Sequence, residues 1–366
     1  MKMSKGIFAV GAAMAILSVS ACGSSSSSSA SDGTQTATAA MLTGPDRTAQ
    51  LEAGAKKEGH LLWYTTMIPD QVVVPMIKAF NQKYPYIKVD YYRGNSTDVA
   101  QKAMQEYQAG RHDVDLVDGT GTSSLLSQAG MIQPFKSPEL TSYPSQLKAS
   151  DGTWGPELQY MMVLAYNTKD VSKAQAPKTY EDLLNPKWKG KMAWSTSATS
   201  GGPLFLGNLI NAWGSDKANA YIDKLAGQSI ANLDVSGNEV IDQVVSGQEP
   251  MALEVFNDQV EVAKAQGAPI DWVPLQPVTA QISRISLVKD APDPYAAMLF
   301  LDFMFSDAGQ KVIQASGAIP ASPSIDAKVP TLKPAAGHFK AQYMDPNMAF
   351  KQTTDWNSLY KQKFVG

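Results

Sequence analysis

Apolar residues recur along this chain with two alternating spacings. At 60–64, 87–91, 114–117, 161–166 and 251–256 they fall side by side or at every second position, as in strands. Between these stretches, Val73, Met76, Ile77 and Phe80, and then Ala100, Ala103, Met104 and Tyr107, fall three and four apart, which marks one face of a helix. Gly59, Gly110, Gly130 and Gly247 close helical stretches, where a left-handed residue past the last turn suits glycine. Pro45 opens a helix predicted over 45–58. Pro75 falls inside the apolar period of 70–84 and predicts a kink or a late start there.

Strand-helix alternation of this kind predicts an α/β fold of mostly parallel sheets flanked by helices. Ligands of such sheets sit beyond the carboxyl ends of the strands. Here those ends are three polar loops, 65–67, 93–97 and 118–122. They offer Thr65, Thr66, Ser96, Thr97, Gly119 and Thr120 as candidate ligand contacts, although each also suits a turn or cap. Residues 134–156 are irregular and should wrap the first lobe. A short helix opened by Pro177 and Thr179 and another strand lead to a hydroxyl-rich stretch at 195–199, read as a helix start. Ser195, Thr196, Ser197 and Thr199, with free N–H groups, could receive an anion there, or one hydroxyl could simply cap the helix. Tyr166, at the end of a crossing strand, either flanks a ligand or fills the hinge. Glu254 and Asn257 end the strand at 251–256, facing the expected cleft, where Glu254 would suit an ammonium group or bond nearby backbone. Helices follow at 204–213, 217–225, 240–246, 257–266, 294–305 and 308–316, with two strands in 270–288. The tail, with Trp356 and Phe364, is expected to pack as helices on the second lobe.

The N-terminus changes the compartment. Lys2 and Lys5 precede an uncharged apolar run at 7–19, too short to span a bilayer and suited to an export signal. It ends in Val19-Ser20-Ala21-Cys22, which resembles a bacterial lipobox, so Cys22 is the expected acylation site after removal of residues 1–21. The serine-rich stretch 22–44 should be a flexible tether. Cys22 is the one cysteine, so no internal disulfide is possible. The 366 residues exceed one ordinary core and suffice for two lobes. The formal net charge of −3 argues against nucleic acid. Enzyme motifs are absent: no G-x-S-x-G, H-E-x-x-H, phosphate-binding loop or G-x-G-x-x-G. His60, His112 and His338 are scattered and read as surface or capping residues. Asp118-Gly119-Thr120-Gly121 echoes an acid-protease loop but, as one copy between strand and helix, reads as a tight turn.

Tyr166-Asn167-Thr168, then P-K-T-Y-E-D-L-L-N-P-K-W-K-G-K-M at 177–192, and K-D-A-P-D-P-Y-A-A-M-L-F-L-D-F-M-F-S-D-A-G-Q-K at 289–311 resemble the solute-binding proteins of bacterial ABC transporters. Over 46–366 the chain is most similar to their ferric-iron-binding-protein-like subgroup. The resemblance implies a two-lobe periplasmic-binding-protein-like fold (type II), with 45–160 plus 272–325 as lobe one and 161–271 plus 326–366 as lobe two. It implies a monomer that closes on a small-molecule ligand, delivers it to a membrane permease, and needs no cofactor. Iron-binding relatives typically carry a tyrosine pair in the segment corresponding to 253–258, where this chain reads Leu-Glu-Val-Phe-Asn-Asp. No metal site is therefore expected, and the preferred ligand is a small organic anion, such as a phosphonate, phosphate ester or carboxylate. Ferric iron or an iron chelate, with Glu254 and Asp258 as ligands, is the alternative. A secreted enzyme on the same scaffold is the alternative of another class.

Overall fold

The computed structural model describes residues 29–366; Cys22 and the export signal lie outside the described residues. Twelve strands are present among the described residues. They are β1 His60–Thr65, β2 Lys88–Arg93, β3 Leu116–Asp118, β4 Ile132–Gln133, β5 Gly155–Asn167 and β6 Met192–Ser195. The rest are β7 Ala231–Leu233, β8 Met251–Phe256, β9 Ile270–Val273, β10 Val278–Val288, β11 Ile319–Pro320 and β12 Ala341–Tyr343. The main path runs β2-β1-β3-β10-β5-β8-β6-β7. Parallel triplets form both ends: β1 pairs with β2 and β3, and β6 pairs with β7 and β8. Antiparallel β10 and β5 cross between them, with Tyr160 opposite Gln281 and Leu158 opposite Ser283.

Helices cover the sheet faces. In lobe one these are α1 Ser29–Met41, α2 Arg47–Glu58, α3 Val74–Lys83, α4 Ser96–Gln108 and α5 Thr122–Gln128. Lobe two holds α6 Gly202–Trp213, α7 Ser215–Ala226, α8 Gly237–Ser246 and α9 Asn257–Ala265. The returning chain gives α10 Pro294–Phe305, α11 Asp307–Ser316, α12 Pro334–Gly337 and α13 Pro346–Tyr360. One core joins Leu61, Trp63, Phe80, Ile285 and Phe300 in lobe one, and another joins Tyr166, Trp194, Phe205, Ile222 and Tyr360 in lobe two. Helix α13 packs on α6 where a Cβ on Gly207 would stand 2.5 Å from the Trp356 ring, so glycine sets that close approach. Phe364 lies against Trp194, as expected of the tail.

Two expectations change and a third, at Pro75, resolves to one of its alternatives. Residues 29–41 of the supposed tether form α1, whose Ala39 and Ala40 are buried and whose Thr36 hydroxyl donates to Ala291 O at 3.0 Å. Alanine and threonine are small enough to lie flush on α10, so this stretch buries surface without large apolar side chains. The second change is at 195–199. Strand β6 ends at Ser195, a turn follows at 198–200, and α6 begins only at Gly202, with Pro203 in its first turn. The hydroxyls stand on a loop ahead of the helix, because Pro203 is already shaped for the first turn and has no N–H to leave unpaired. The third is Pro75. It sits in the first turn of α3, after a wide helical turn at Pro69–Val73, so the late start occurs and no interior bond is lost.

Candidate functional site

The lobe-one mouth is assembled by the ends of β1, β2 and β3. Asp118, fully buried at the end of β3, accepts Thr66 N at 2.7 Å and Thr66 Oγ1 at 2.8 Å through one carboxylate oxygen. That bond folds the 65–67 loop over the sheet edge. Buried Thr65 takes the N–H of Met67 on its hydroxyl. Gly119 has φ +123°, and a Cβ there would stand 2.7 Å from both Thr122 Oγ1 and Thr66 Cγ2 and 3.0 Å from Ser96 Oγ. The three predicted loops therefore meet at Gly119. The sequon-like Asn95 caps α4, accepting Thr97 N and Asp98 N. The Thr120 carbonyl accepts a bond from the Arg284 guanidinium, which is buried against Trp154 and also reaches Ser124 Oγ at 3.2 Å.

The crossing strands supply residues that sequence reading passed over. Glu157 is fully buried on β5; one of its oxygens accepts Ser283 Oγ at 2.9 Å and the other has no partner. Burial raises its pKa well above the ordinary carboxylate range, and nearby Asp118 raises it further. Asp118 is likewise raised by burial, against hydrogen bonds from Thr65, Thr66 and Trp63. Tyr160 lies between the lobes. Burial pushes its hydroxyl up first, followed by the charges of Asp258 from lobe two and of Glu157 and Asp118 from lobe one. Its ring meets Phe256 at 4.7 Å between centroids.

Lobe two contributes Glu254, Asn257 and Asp258, all buried. Each keeps one side-chain oxygen without a hydrogen-bond partner: Glu254 Oε1, Asn257 Oδ1 and Asp258 Oδ1. The Asn257 amide is oriented by donating to Leu332 O at 3.2 Å. Glu254 sits at φ +57° where the β5–β8 register slips between Val163 and Ala165, a bulge that re-aims its side chain. Burial pushes Glu254 up to about 8 and Asp258 up to about 6. No lysine or arginine bonds any of these carboxylates, and none is among the larger influences on them.

The remaining predicted contacts are placed differently. Tyr166 is buried in the lobe-two core and is paired with Met251 and Asp271, so it fills the lobe and does not flank a cleft. Ser195 Oγ donates to Val235 O at 2.6 Å and Thr196 Oγ1 to Asp234 at 3.1 Å, while Ser197 Oγ accepts from Ser200 at 3.0 Å. Ser195 and Thr196 thus tie the loop to the 234–235 segment after β7, and Ser197 bonds within its own loop. The Thr199 carbonyl accepts Gln281 Nε2 at 3.0 Å, which pins the loop to the hinge. His60 lies elsewhere, within reach of Asp115 and Asp293, a grouping of metal-ligand type. Its ring nitrogens already face Asp293 at 3.0 Å and Asp90 at 3.2 Å, and Asp115 already accepts Leu62 N and Asp293 N. Two surface cavities, of about 530 and 300 Å³, lie behind lobe one at Arg47 and Lys148 and beside Trp188, away from Tyr160.

A family model described as bacterial extracellular solute-binding protein matches residues 75–341. An uncharacterized Haemophilus influenzae protein is 24% identical over 74% of this chain and 81% of its own length. Iron uptake protein A1 of Synechocystis is 24% identical over 61% of this chain and 65% of its own, just under two thirds. Among solved structures, iron-bound HitA of Pseudomonas aeruginosa superposes with a TM-score of 0.68 at 21% identity, covering 82% of this chain and 98% of its own. AfuA of Actinobacillus pleuropneumoniae, solved with fructose-6-phosphate, superposes at 0.67 and 20% identity, covering 84% and 98%. These likenesses establish the two-lobe type II periplasmic-binding-protein fold.

Proposed function

This chain belongs to the bacterial extracellular solute-binding proteins, the substrate-binding components of ABC importers, and from that premise we propose that the solute it captures between its lobes is a cation. One observation carries the reading: Asp118, Glu157, Glu254 and Asp258 are buried around the hinge, each with an unpartnered oxygen and no basic partner. Burying a carboxylate without compensation is costly, and here the cost appears as raised pKa values. A cation supplies the missing partner on binding. Contact with both lobes favours the closed form, which is how such proteins present a solute to a permease. The organic-anion reading loses support, because its helix start is a loop and the Ser195 and Thr196 hydroxyls already donate to Val235 and Asp234. Ferric iron is a member of the cation class, and iron is what HitA binds and what gives the Synechocystis relative its name. Thr66, Ser96 and Gly119 then close the lobe-one side of the cleft. We assign the membrane anchor to acylated Cys22; no helix among the described residues is long and apolar enough to cross a membrane.

The test is a thermal-shift panel on ligand-stripped protein with ferric citrate, amines, a phosphonate, a sugar phosphate and a carboxylate. A solute at ~100 times its dissociation constant adds about 2.7 kcal/mol. Stabilisation by cations alone supports the reading; stabilisation by an anion alone rejects it.

A further inference from the structure

Helix α1 fixes where the chain leaves lobe one. Its Thr36 hydroxyl donates to Ala291 O, and the Ala40 carbonyl near its other end accepts Lys136 N at 2.9 Å. The Arg47 guanidinium, buried on Asp302, donates Nε to Leu42 O at 3.0 Å just past the helix. A Cβ on Gly33 would stand 2.5 Å from Asp290 Oδ1, so the amino-terminal half of α1 lies against the turn after β10. That turn belongs to one pole of lobe one. Asp293 Oδ2 faces His60 Nδ1 at 3.0 Å where β1 starts, and β10 runs antiparallel to β3, so its end lies at the amino end of β3. The mouth is at the carboxyl ends of β1 to β3, so the chain departs from the pole opposite the mouth. Residues 22–28 alone then separate Cys22 from α1. A fully extended segment of that length spans at most about 25 Å.

The same pole carries unpaired positive charge. Lys56 and Lys57 stand in the last turn of α2, Lys83 ends α3 and Lys289 follows β10. All four are exposed, and none is among the ion pairs of the described residues. Lys56 and Lys83 stand 5.2 and 5.1 Å over the rings of Tyr86 and Tyr84, whose centroids are 6.2 Å apart, which gathers both lysines at one spot. The acids of this pole are engaged. Glu58 accepts Tyr295 N and Ala296 N, Asp290 accepts the Tyr107 hydroxyl, Asp90 pairs with Lys88 and Asp113 with Arg111; Glu52, near Tyr86, is half-buried. A helix end favours a basic residue, which accounts for Lys57 and Lys83 singly. It does not account for Lys289, or for all four standing on the pole from which the chain runs to Cys22.

Resting on the assignment of the membrane anchor to Cys22, we propose that this pole is a docking face for anionic phospholipid headgroups. Lys56, Lys57, Lys83 and Lys289 lie against the bilayer, and the short leash fixed by α1 keeps them within reach of it. The cleft mouth then points away from the membrane. The contact is electrostatic and screened by salt, so the protein can lift and turn its cleft to a permease. Lobe two has exposed lysines of its own, Lys178, Lys187, Lys189 and Lys191, ahead of β6. Three antiparallel pairings, β3 with β10, β10 with β5 and β5 with β8, separate the lobes, and β6 is parallel to β8, so the amino end of β6 points the opposite way from those of β1 to β3.

Neutron reflectometry tests this on the mature chain, coupled through its Cys22 thiol to a maleimide lipid in a supported bilayer. On phosphatidylcholine with phosphatidylglycerol at low salt, protein density should begin at the headgroups. On phosphatidylcholine alone, or in about 0.5 M salt, a water gap on the order of 10 Å should open. The variant Lys56→Gln/Lys57→Gln/Lys83→Gln/Lys289→Gln should show that gap on the anionic bilayer. The equal charge change Lys178→Gln/Lys187→Gln/Lys189→Gln/Lys191→Gln should leave the profile of the parent, and melting curves report that both variants fold. A profile indifferent to phosphatidylglycerol and salt, or a gap opened by the lobe-two variant instead, overturns the docking face. The anchor is judged separately by the mass of the chain extracted from its own membrane. An unmodified Cys22 there overturns the anchor and the leash, while the bilayer profile still decides the lipid face.

Discussion

The two mouths of the cleft are built on opposite plans. In lobe one most polar groups are engaged: Asp118 takes the Thr66 amide and hydroxyl on one oxygen and leaves only the other unpartnered, Asn95 caps α4, and Thr122 Oγ1 donates to Ser96 O at 3.2 Å. Three loops lock around Gly119 with no room for a Cβ. In lobe two Glu254, Asn257 and Asp258 are equally buried but unfinished, each with an oxygen that has no hydrogen-bond partner. A satisfied network holds a shape, whereas an unsatisfied one in the same protein marks where an outside group completes it. On the cation reading, lobe one positions, and lobe two with Glu157 and Tyr160 recognises.

Breaking the lobe-two side should have the largest effect. The double variant Glu254→Gln/Asp258→Asn is expected to lose over 100-fold in cation affinity by calorimetry. Its ligand-free melting temperature should rise, since two desolvated acids are gone.

The pH dependence of stability sharpens the same contrast. Glu254 has a folded pKa of about 8 against an ordinary 4.5, so between these values the native state holds a proton that the unfolded chain has released. Stability of the ligand-free protein should therefore fall as pH rises from about 4.5 to 8, by on the order of a few kcal/mol. Asp258, raised to about 6, adds to the lower part of that window. Urea unfolding at pH 5, 6.5 and 8 measures the slope, and Glu254→Gln should flatten it.

On the lobe-one side, Asp118→Ala should act on stability first. It strands the Thr66 amide and hydroxyl and should cost about 1–3 kcal/mol in urea unfolding. The smallest effect on binding is expected from replacing Ser195, Thr196 and Ser197 together by alanine. Their hydroxyls serve the loop, so cation affinity should stay within twofold while stability drops by about 1–2 kcal/mol. A tenfold loss of affinity there would return the anion site to consideration.

Much of the frame was legible in sequence because it rests on local signals. Gly59 and Gly247 do end α2 and α8 in left-handed conformation, and the polar strand ends do converge. The recognition groups were harder to see. Glu157 sits in a stretch without helical or strand period, and it meets Asp118 only because β10 pairs with β3 on one side and β5 on the other. Such long-range pairing leaves no mark within either segment. Tyr166 ended an apolar run whose burial pattern cannot distinguish a hinge from a core. The loop at 195–199 was misread because its hydroxyls imitate a cap, while Pro203 carried the true start signal. Glu254 was visible as an acid at a strand end, but its bulge was not, since no glycine marks the positive φ.

The central claim, that the hinge acids await a cation, is tested most directly by two solutes of equal carbon number and opposite charge. Stripped protein is titrated in one calorimeter series with the dication 1,4-diaminobutane, with ferric citrate, and with the dianion succinate. Binding of the diamine, or of iron from ferric citrate with no heat from iron-free citrate, together with no heat from succinate, is the predicted result. Succinate binding, with no response to the diamine or to iron, would contradict the account.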